Sequence, residues 1–315
     1  MTRISVCIPT YNRIDLLPIA IASVLEQTRQ DFELIVCDDG STDGTAEMMS
    51  RYDDPRIRYV RHPENIGKSN NMRSGFEAAT GDYFIKFDDD DRLTPEFLEK
   101  TAAILDRNPD VDFVGTDHWI INIENNRDRA ATETNSRNWG RTHLPEGIVE
   151  NLLEVTFVKQ SFQIGCTLFR RQSLLDVGYM RPDIQNCEDN DLLVRLALAG
   201  KRGYYLPEKL MEYRVHAGQQ GLDRAIPYLR DKITYLENFQ FDSETLENIR
   251  RSRLAQARLA LGLLLVENGD VETGRVYIVT GQSASRPKAW TGLALSLLPG
   301  LLRKRAFDIL RNAKT

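Results

Sequence analysis

The chain has 315 residues, of which 41% are hydrophobic and 28% charged, and a net charge of −5. That length allows one large domain or two smaller ones with a full core, and the acidic balance argues against general nucleic-acid binding by the whole molecule. No run approaches the ~18 apolar residues of a transmembrane helix, and with strand-like sequence from residue 4 no signal peptide is expected. Residues 4–8 form a short apolar run stopped by Pro9, the pattern of a buried strand. Asp15 is placed to cap a helix to about Glu26, with Leu16, Leu17, Ala20, Val24 and Leu25 at helical spacing. Residues 32–37 read as a second strand that breaks into the polar turn 38–44, then a helix over 45–52 and a third strand over 57–60. A helix from about Lys68 to Ala79 ends near Gly81, and residues 83–87 make a fourth strand. Thr94 and Pro95 open the next helix.

Residues 111–116 suggest another strand, whereas 122–145 are polar, lack periodicity and read as a long mobile loop. Residues 165–169 suggest a strand, 188–199 a helix, and 204–206 and 211–215 two closing strands. The repeated β-α-β order predicts a doubly wound, mainly parallel α/β sheet flanked by helices. A first domain is expected over 1–220, in two halves that divide near residue 115. An α-helical extension follows over 221–315, where helices at 254–266 and 273–278 resemble a single tetratricopeptide-like unit. From Lys288 onward six Lys/Arg face one Asp, a net of +5 in an acidic protein. Such an end can lie on an anionic membrane surface, or pack as a helix with its basic face solvated; both readings stay open.

Four cysteines, Cys7, Cys37, Cys166 and Cys187, are scattered without C-x-x-C spacing. Cys7 and Cys37 lie in strand-like runs and read as buried free thiols, from which a reduced, cytoplasmic setting is expected.

The chemistry concentrates where strands end. Asp88, Asp89, Asp90 and Asp91 follow the fourth strand directly. Four adjacent carboxylates repel unless a cation or water screens them, and the carboxyl edge of an open α/β sheet is where ligands bind. A hard divalent cation, Mn²⁺ or Mg²⁺, held by a few carboxylates and substrate phosphates, fits. At the same edge Asp39 can accept from a base imide or ribose hydroxyl. Pro9, Thr10, Tyr11 and Arg13 offer an aromatic face and a cation. Together these segments describe a nucleotide pocket with a metal beside the diphosphate.

The segments 5–13, 36–43, 87–91 and 187–192 resemble family 2 glycosyltransferases of the GT-A fold, over about residues 3–217. The resemblance implies a catalytic domain over 1–220, with a nucleotide-sugar half to about 115 and an acceptor half over about 116–220. It also implies inverting transfer from a nucleotide-diphosphate sugar, a UDP-sugar favoured, to a glycan, lipid-linked or protein-linked acceptor, assisted by Mn²⁺ or Mg²⁺. By motif, Tyr11 stacks on the base and Asp39 binds its imide or the ribose. Asp90 touches the metal, and Asp88 or Asp89 contacts ribose or metal waters. Asp189 is the favoured general base, with Glu188 and Asp191 competing; Asp191 also reads as a partner of Arg195 at i+4. His216, in the segment 213–216, meets diphosphate or metal, and Arg214 phosphate. Many relatives carry Arg-Asn where this chain has Met72 and Arg73, which moves the cationic contact to Lys68 or Arg73. Two other readings compete: a sugar nucleotidyltransferase, whose Gly-rich phosphate loop is missing here, and a non-catalytic carbohydrate-binding protein of the same fold.

Overall fold

The computed structural model describes residues 3–216 and 222–312. The chain divides into two compact units, Met1–Gln219 and Gln220–Thr315. In chain order the first unit contains β1 (Ile4–Thr10), α1 (Leu17–Leu25), β2 (Phe32–Asp38), α2 (Thr45–Met49), β3 (Ile57–Arg61), α3 (Lys68–Ala78) and β4 (Tyr83–Lys86). It continues with β5 (Arg92–Leu93), α4 (Phe97–Arg107), β6 (Phe113–Ile121), β7 (Arg127–Asp128), α5 (Arg129–Asn138) and β8 (Gly147–Ile148). Then come β9 (Thr167–Arg170), α6 (Arg171–Asp176), α7 (Glu188–Leu198) and β10 (Gly203–Arg214).

One sheet runs β3-β2-β1-β4-β9-β6-β10-β5, with β7 beside β6 and β8 beside β10. Strands β3, β2, β1 and β4 are parallel, whereas β9 is antiparallel to both β4 and β6. Strand β2 lies on one side of β1 and β4 on the other, so the order reverses between β1 and β4. Such a switch point opens a crevice at the carboxyl ends of the strands.

Both faces of this sheet are covered, which explains the unbroken apolar runs. Side chains alternate along a strand. Ile4, Val6, Ile8, Leu34 and Val36 pack with Leu17, Ile21, Leu98 and Leu105 on the α1/α4 face. Cys7, Ile35, Cys37 and Phe84 pack with Met72, Phe76, Leu192 and Leu193 on the α3/α7 face. All four cysteines are free and buried. Truncating a central residue such as Phe84 to Ala would cost about 3–5 kcal/mol, the usual range for a core aromatic.

Four local expectations are corrected. Strand β1 runs through Pro9 to Thr10, because Pro9 only pairs in register with Cys37 and β1 needs no N–H there. Asp15 caps no helix: α1 starts at Leu17, and the Arg13 carbonyl takes the Leu16 and Leu17 N–H groups. Residues 122–145 are not a structureless loop but hold β7, α5 and a short 3-10 turn. Helix α5 is fixed by polar burial: the Asp128 side chain accepts from Ala131 N, and the buried Thr132 hydroxyl receives the Ile120 N–H. The two closing strands are one strand, β10, whose register with β6 shifts between Leu206 and Met211.

The second unit contains α8 (Leu222–Glu237), α9 (Glu244–Asn268), α10 (Val271–Gly281), α11 (Arg286–Leu295) and α12 (Gly300–Asn312). Ser243 caps α9 and Asp270 caps α10 through their side-chain oxygens. Gly262 and Gly274 let α9 and α10 touch backbone to backbone: a Cβ on Gly262 would stand 2.6 Å from Ile278 N. No helix among the described residues is long and apolar enough to cross a membrane.

Candidate active site

The crevice between β1 and β4 gathers the segments singled out above. After β1, the loop 10–13 is stitched to the loop after β2. Asp39 N donates to Thr10 O, Asn12 N to Ser41 Oγ at 2.9 Å, and Thr42 N to Asn12 Oδ1 at 2.8 Å. Tyr11 at the tip is 46% exposed, an open aromatic face. Asp38 is structural: fully buried, it accepts from Ser41 N and the Tyr59 hydroxyl. Asp39 keeps one oxygen on Ile66 N at 2.7 Å. The turn needs Gly40: its φ is +76°, and a Cβ at that position would stand 2.6 Å from the Glu64 backbone, so no side chain fits.

The four aspartates after β4 go four separate ways. Asp88 Oδ1 accepts from Lys86 Nζ at 2.7 Å. Asp89 faces Thr10 and Arg13; burial and the neighbouring Asp90 push its carboxyl up to about 7, against those two groups. Asp90 Oδ2 lies 3.1 Å from His216 Nε2. Asp91 is fully buried and accepts Arg214 N at 2.8 Å; burial first, then Asp88 and Asp90, raise its carboxyl well above the usual range. Asp91 is therefore a structural peg.

Helix α7 begins with Glu188, Asp189 and Asp191 in its first turn, where the helix dipole favours anions. Asp191 is held by Arg195 Nε at 2.7 Å and Arg181 Nη1 at 3.3 Å, so it is a fully engaged structural group. Glu188 Oε1 pairs with Lys68 Nζ at 2.5 Å. Burial raises the Glu188 carboxyl even so, outweighing Lys68. Asp189 Oδ1 is buried and accepts no hydrogen bond among the described residues.

The expected phosphate role of Arg214 is corrected. Its side chain is fully buried and clamps the loop after β6, donating to Asp90 O, Asn122 O and Asn125 Oδ1. Arg73 likewise donates to the Gly178 and Met180 carbonyls, and Met72 is core. Of the cations expected to meet phosphate, Arg13 stays beside Asp89 and Lys68 beside Glu188.

Sequence reasoning missed Lys86, which sits in β4 and is 1% exposed. A signal existed: Lys86 and Asp88 are two residues apart, hence on one face of the strand. Gly165 was read only as part of an acceptor-side strand; it precedes β9 in a 3-10 turn, and a Cβ there would come 3.3 Å from Asp88 Oδ2.

Among the described residues no cluster of three or more His, Cys, Asp or Glu forms a ready-made metal cage. Asp90 and His216 nevertheless fit a cation that takes its remaining ligands from phosphates and water, as Mg²⁺ commonly does. The first oxygen of Asp88 is committed to Lys86.

The comparisons with known proteins agree with this geometry. A family model described as glycosyl transferase family 2 matches residues 5–178, ending before α7. An uncharacterised glycosyltransferase of Haemophilus influenzae is 26% identical over 246 residues, covering 75% of this chain and 74% of that protein. The putative glycosyltransferase EpsE of Bacillus subtilis is 29% identical over 218 residues, covering 67% and 73%. Residues 1–349 of S. aureus TarS, solved with UDP-GlcNAc, superpose with a TM-score of 0.65 at 16% identity, covering 97% of this chain and 91% of that one. The mannosyltransferase PcManGT of Pyrobaculum calidifontis, solved with GDP-Man and Mn²⁺, gives 0.60 at 20% identity, covering 99% and 84%. At these identities the solved structures speak for a shared GT-A-like fold. With more than half the chain matched and the strand-end carboxylates gathered in one crevice, the protein belongs to glycosyl transferase family 2.

Proposed function

We propose that the protein is an inverting, metal-assisted glycosyltransferase. It would take a sugar from a nucleotide-diphosphate donor, a UDP-sugar favoured, and pass it to a hydroxyl of a glycan, lipid-linked or protein-linked acceptor. The observation that carries this reading is the division of labour among the carboxylates. Asp90 faces His216, Glu188 is tied to Lys68 and Asp191 to two arginines. Asp189 alone of these α7 acids keeps a buried oxygen with neither hydrogen bond nor ion pair among the described residues.

In this reading Tyr11 stacks on the base and Asp39 takes its imide or a ribose hydroxyl, with Pro9 and Thr10 shaping the edge. Arg13, Asp88 and Asp89 border the ribose and diphosphate, and Lys68 stands near the phosphate path. Asp189 accepts the proton of the acceptor hydroxyl as that oxygen attacks C1. The bond from C1 to the diphosphate oxygen breaks, and the nucleoside diphosphate leaves from the opposite face. A Mn²⁺ or Mg²⁺ ion held by Asp90 and His216 would supply positive charge beside the leaving phosphate.

Product analysis separates this reading from its competitors. Incubation with UDP-GlcNAc or GDP-Man and Mn²⁺ should release the nucleoside diphosphate. Release of pyrophosphate from a sugar phosphate and nucleoside triphosphate would instead favour the nucleotidyltransferase reading. No release of either kind, with any donor, would return the non-catalytic one.

The second unit supports a peripheral place at an anionic membrane, on the cytoplasmic face. Trp290, Leu297 and Leu301 are 70%, 76% and 87% exposed, and Lys288, Lys304 and Arg305 are exposed on the same two helices or beside them. Lys314, part of the cationic count, lies outside the described residues.

A further inference from the structure

A lysine in the middle of a buried strand needs a reason. For packing alone an apolar side chain would serve, and a buried ammonium loses its hydration. Lys86 pairs in register with Cys7 at the centre of the sheet. Its neighbours Ile85 and Phe87 belong to the α1/α4 face, whereas Phe84 belongs to the α3/α7 face. Alternation therefore directs Lys86 toward α3 and α7. There it meets Asp88, just past the end of β4, at 2.7 Å, on the face where the Lys68–Glu188 pair joins the first residues of α3 and α7 at 2.5 Å.

The local charges are three carboxylates, Asp88, Glu188 and Asp189, against two ammoniums, Lys86 and Lys68. Burial works against the Lys86 ammonium, but Asp189, Asp88 and Glu188, in that order, outweigh it. The same two lysines offset the burial of Asp88 and hold its carboxyl below the usual range. Without Lys86 the cluster would hold three anions against one cation, and like charges would push the β4 loop and the α7 terminus apart.

We propose that Lys86 is a positioning residue for glycosyl transfer: its buried ammonium holds Asp88, on the donor side, and attracts the Glu188–Asp189 pair, on the acceptor side, through space with no direct ion pair to it among the described residues, and so sets the distance between them. This rests on the reading of Asp189 as the base. Lys86 touches no substrate atom in this arrangement; it acts through the carboxylates. The requirement follows from the layout of the chain, since Asp88 and Asp189 come from elements about a hundred residues apart in sequence and share no hydrogen bond. A displacement of about 1 Å between reacting groups can cost on the order of 100-fold in rate.

The test uses Lys86→Met, which conserves volume and removes charge, and Lys86→Ala, which leaves space for a soluble amine. UDP and GDP binding with Mn²⁺ is measured by calorimetry, and turnover as release of nucleoside diphosphate from UDP-GlcNAc or GDP-Man with water as acceptor. The expected result is nucleotide affinity within roughly threefold of the parent and turnover reduced about 100-fold, a loss confined to the transition state. Ethylammonium should restore at least roughly tenfold of the Lys86→Ala loss, while 1-propanol of the same shape should not. Parallel loss of affinity and turnover, unchanged turnover, or equal rescue by propanol would each overturn the proposal. Urea unfolding of Lys86→Met, Asp189→Asn and the double variant adds a readout that needs no substrate. Removing Asp189's charge should recover part of the stability lost with Lys86; strictly additive losses would count against any coupling. If the unfolding cycle shows coupling but the parent protein releases no nucleotide from any donor, the transferase reading fails, and this role with it.

Discussion

His216 Nε2 stands 3.1 Å from Asp90 Oδ2, although 126 residues separate them in sequence. The contact exists because Asp91, the next residue, accepts the Arg214 N–H, while the Arg214 guanidinium holds the Asp90 carbonyl. Two structural residues thus aim the two proposed metal ligands at a common point. Asp90→Ala should abolish the gain in UDP or GDP affinity on adding Mn²⁺, and His216→Ala should weaken it by at least about tenfold, the loss of one ligand in a sparse site. Thermal stabilisation by nucleotide with and without Mn²⁺ reads this directly, since a ligand selective for the native state raises its stability. An undiminished Mn²⁺ effect in Asp90→Ala would remove the pair from the metal site.

Asp189 and Glu188 are adjacent but differently committed. Lys68 holds Glu188 and nothing donates to the buried Asp189 oxygen among the described residues. Asp189→Asn should therefore lower turnover by about 10²–10⁴, the usual worth of a general base, with donor affinity little changed. Glu188→Gln should leave turnover within about tenfold, its main effect being to release Lys68. The reverse order, measured as nucleotide release under saturating donor, would move the base to Glu188.

The parts of this fold that sequence made readable are those with a strict period. Strands β1, β2 and β4 are buried on both faces and each runs into polar residues at its end, so strands and carboxylates were legible together. Lys86 was not: its bonded partner Asp88 is two residues away, but the α7 carboxylates Asp189 and Glu188 that also stabilise its charge are brought near it only by tertiary structure. Helix α5 carries no apolar stripe; Thr132 and Ser136 are its buried residues. Strand β10 reads as two strands because Pro207 and Glu208 interrupt it where the pairing with β6 shifts. Arg214 looked like a phosphate ligand since exposure and burial of an arginine are indistinguishable in sequence.

A pH dependence of stability should come from His118. It is buried on β6, with Arg141 and Asp117 beside it and Lys209 and the Tyr213 ring from β10. Burial, then Arg141, lowers its pKa to about 4, with Asp117 opposing. Between the ordinary value near 6.5 and about 4 the unfolded chain binds the proton and the folded one does not. Stability due to this residue is thus full above about pH 6.5 and is lost as pH falls toward 4. The ceiling is roughly 3 kcal/mol, at about 1.4 kcal/mol per unit. Urea unfolding at pH 7 and pH 5 should show a smaller difference in His118→Gln than in the parent. Equal slopes in the two proteins would mean that His118 charges without penalty.

The cationic end of the second unit makes the last prediction. Helices α11 and α12 and the turn between them expose Trp290, Leu297, Leu301 and Ile309, and also Lys288, Lys304 and Arg305. An apolar face with cations beside it gains from insertion at the headgroup level and from attraction to anionic lipid, about 1 kcal/mol for each Lys or Arg near the surface. Three such cations correspond to about 3 kcal/mol, or on the order of 100-fold in partitioning between anionic and neutral vesicles. The protein should co-sediment with phosphatidylglycerol-containing vesicles and not with pure phosphatidylcholine, and high salt should reduce binding, since screening shortens the reach of surface charge. A Lys288→Glu/Lys304→Glu/Arg305→Glu variant should lose the anionic preference, and Leu301→Asp should lose binding altogether while unfolding at the same urea concentration as the parent. Concentration-dependent self-association through the same residues, without vesicle binding, would assign the face to a second copy of the chain instead.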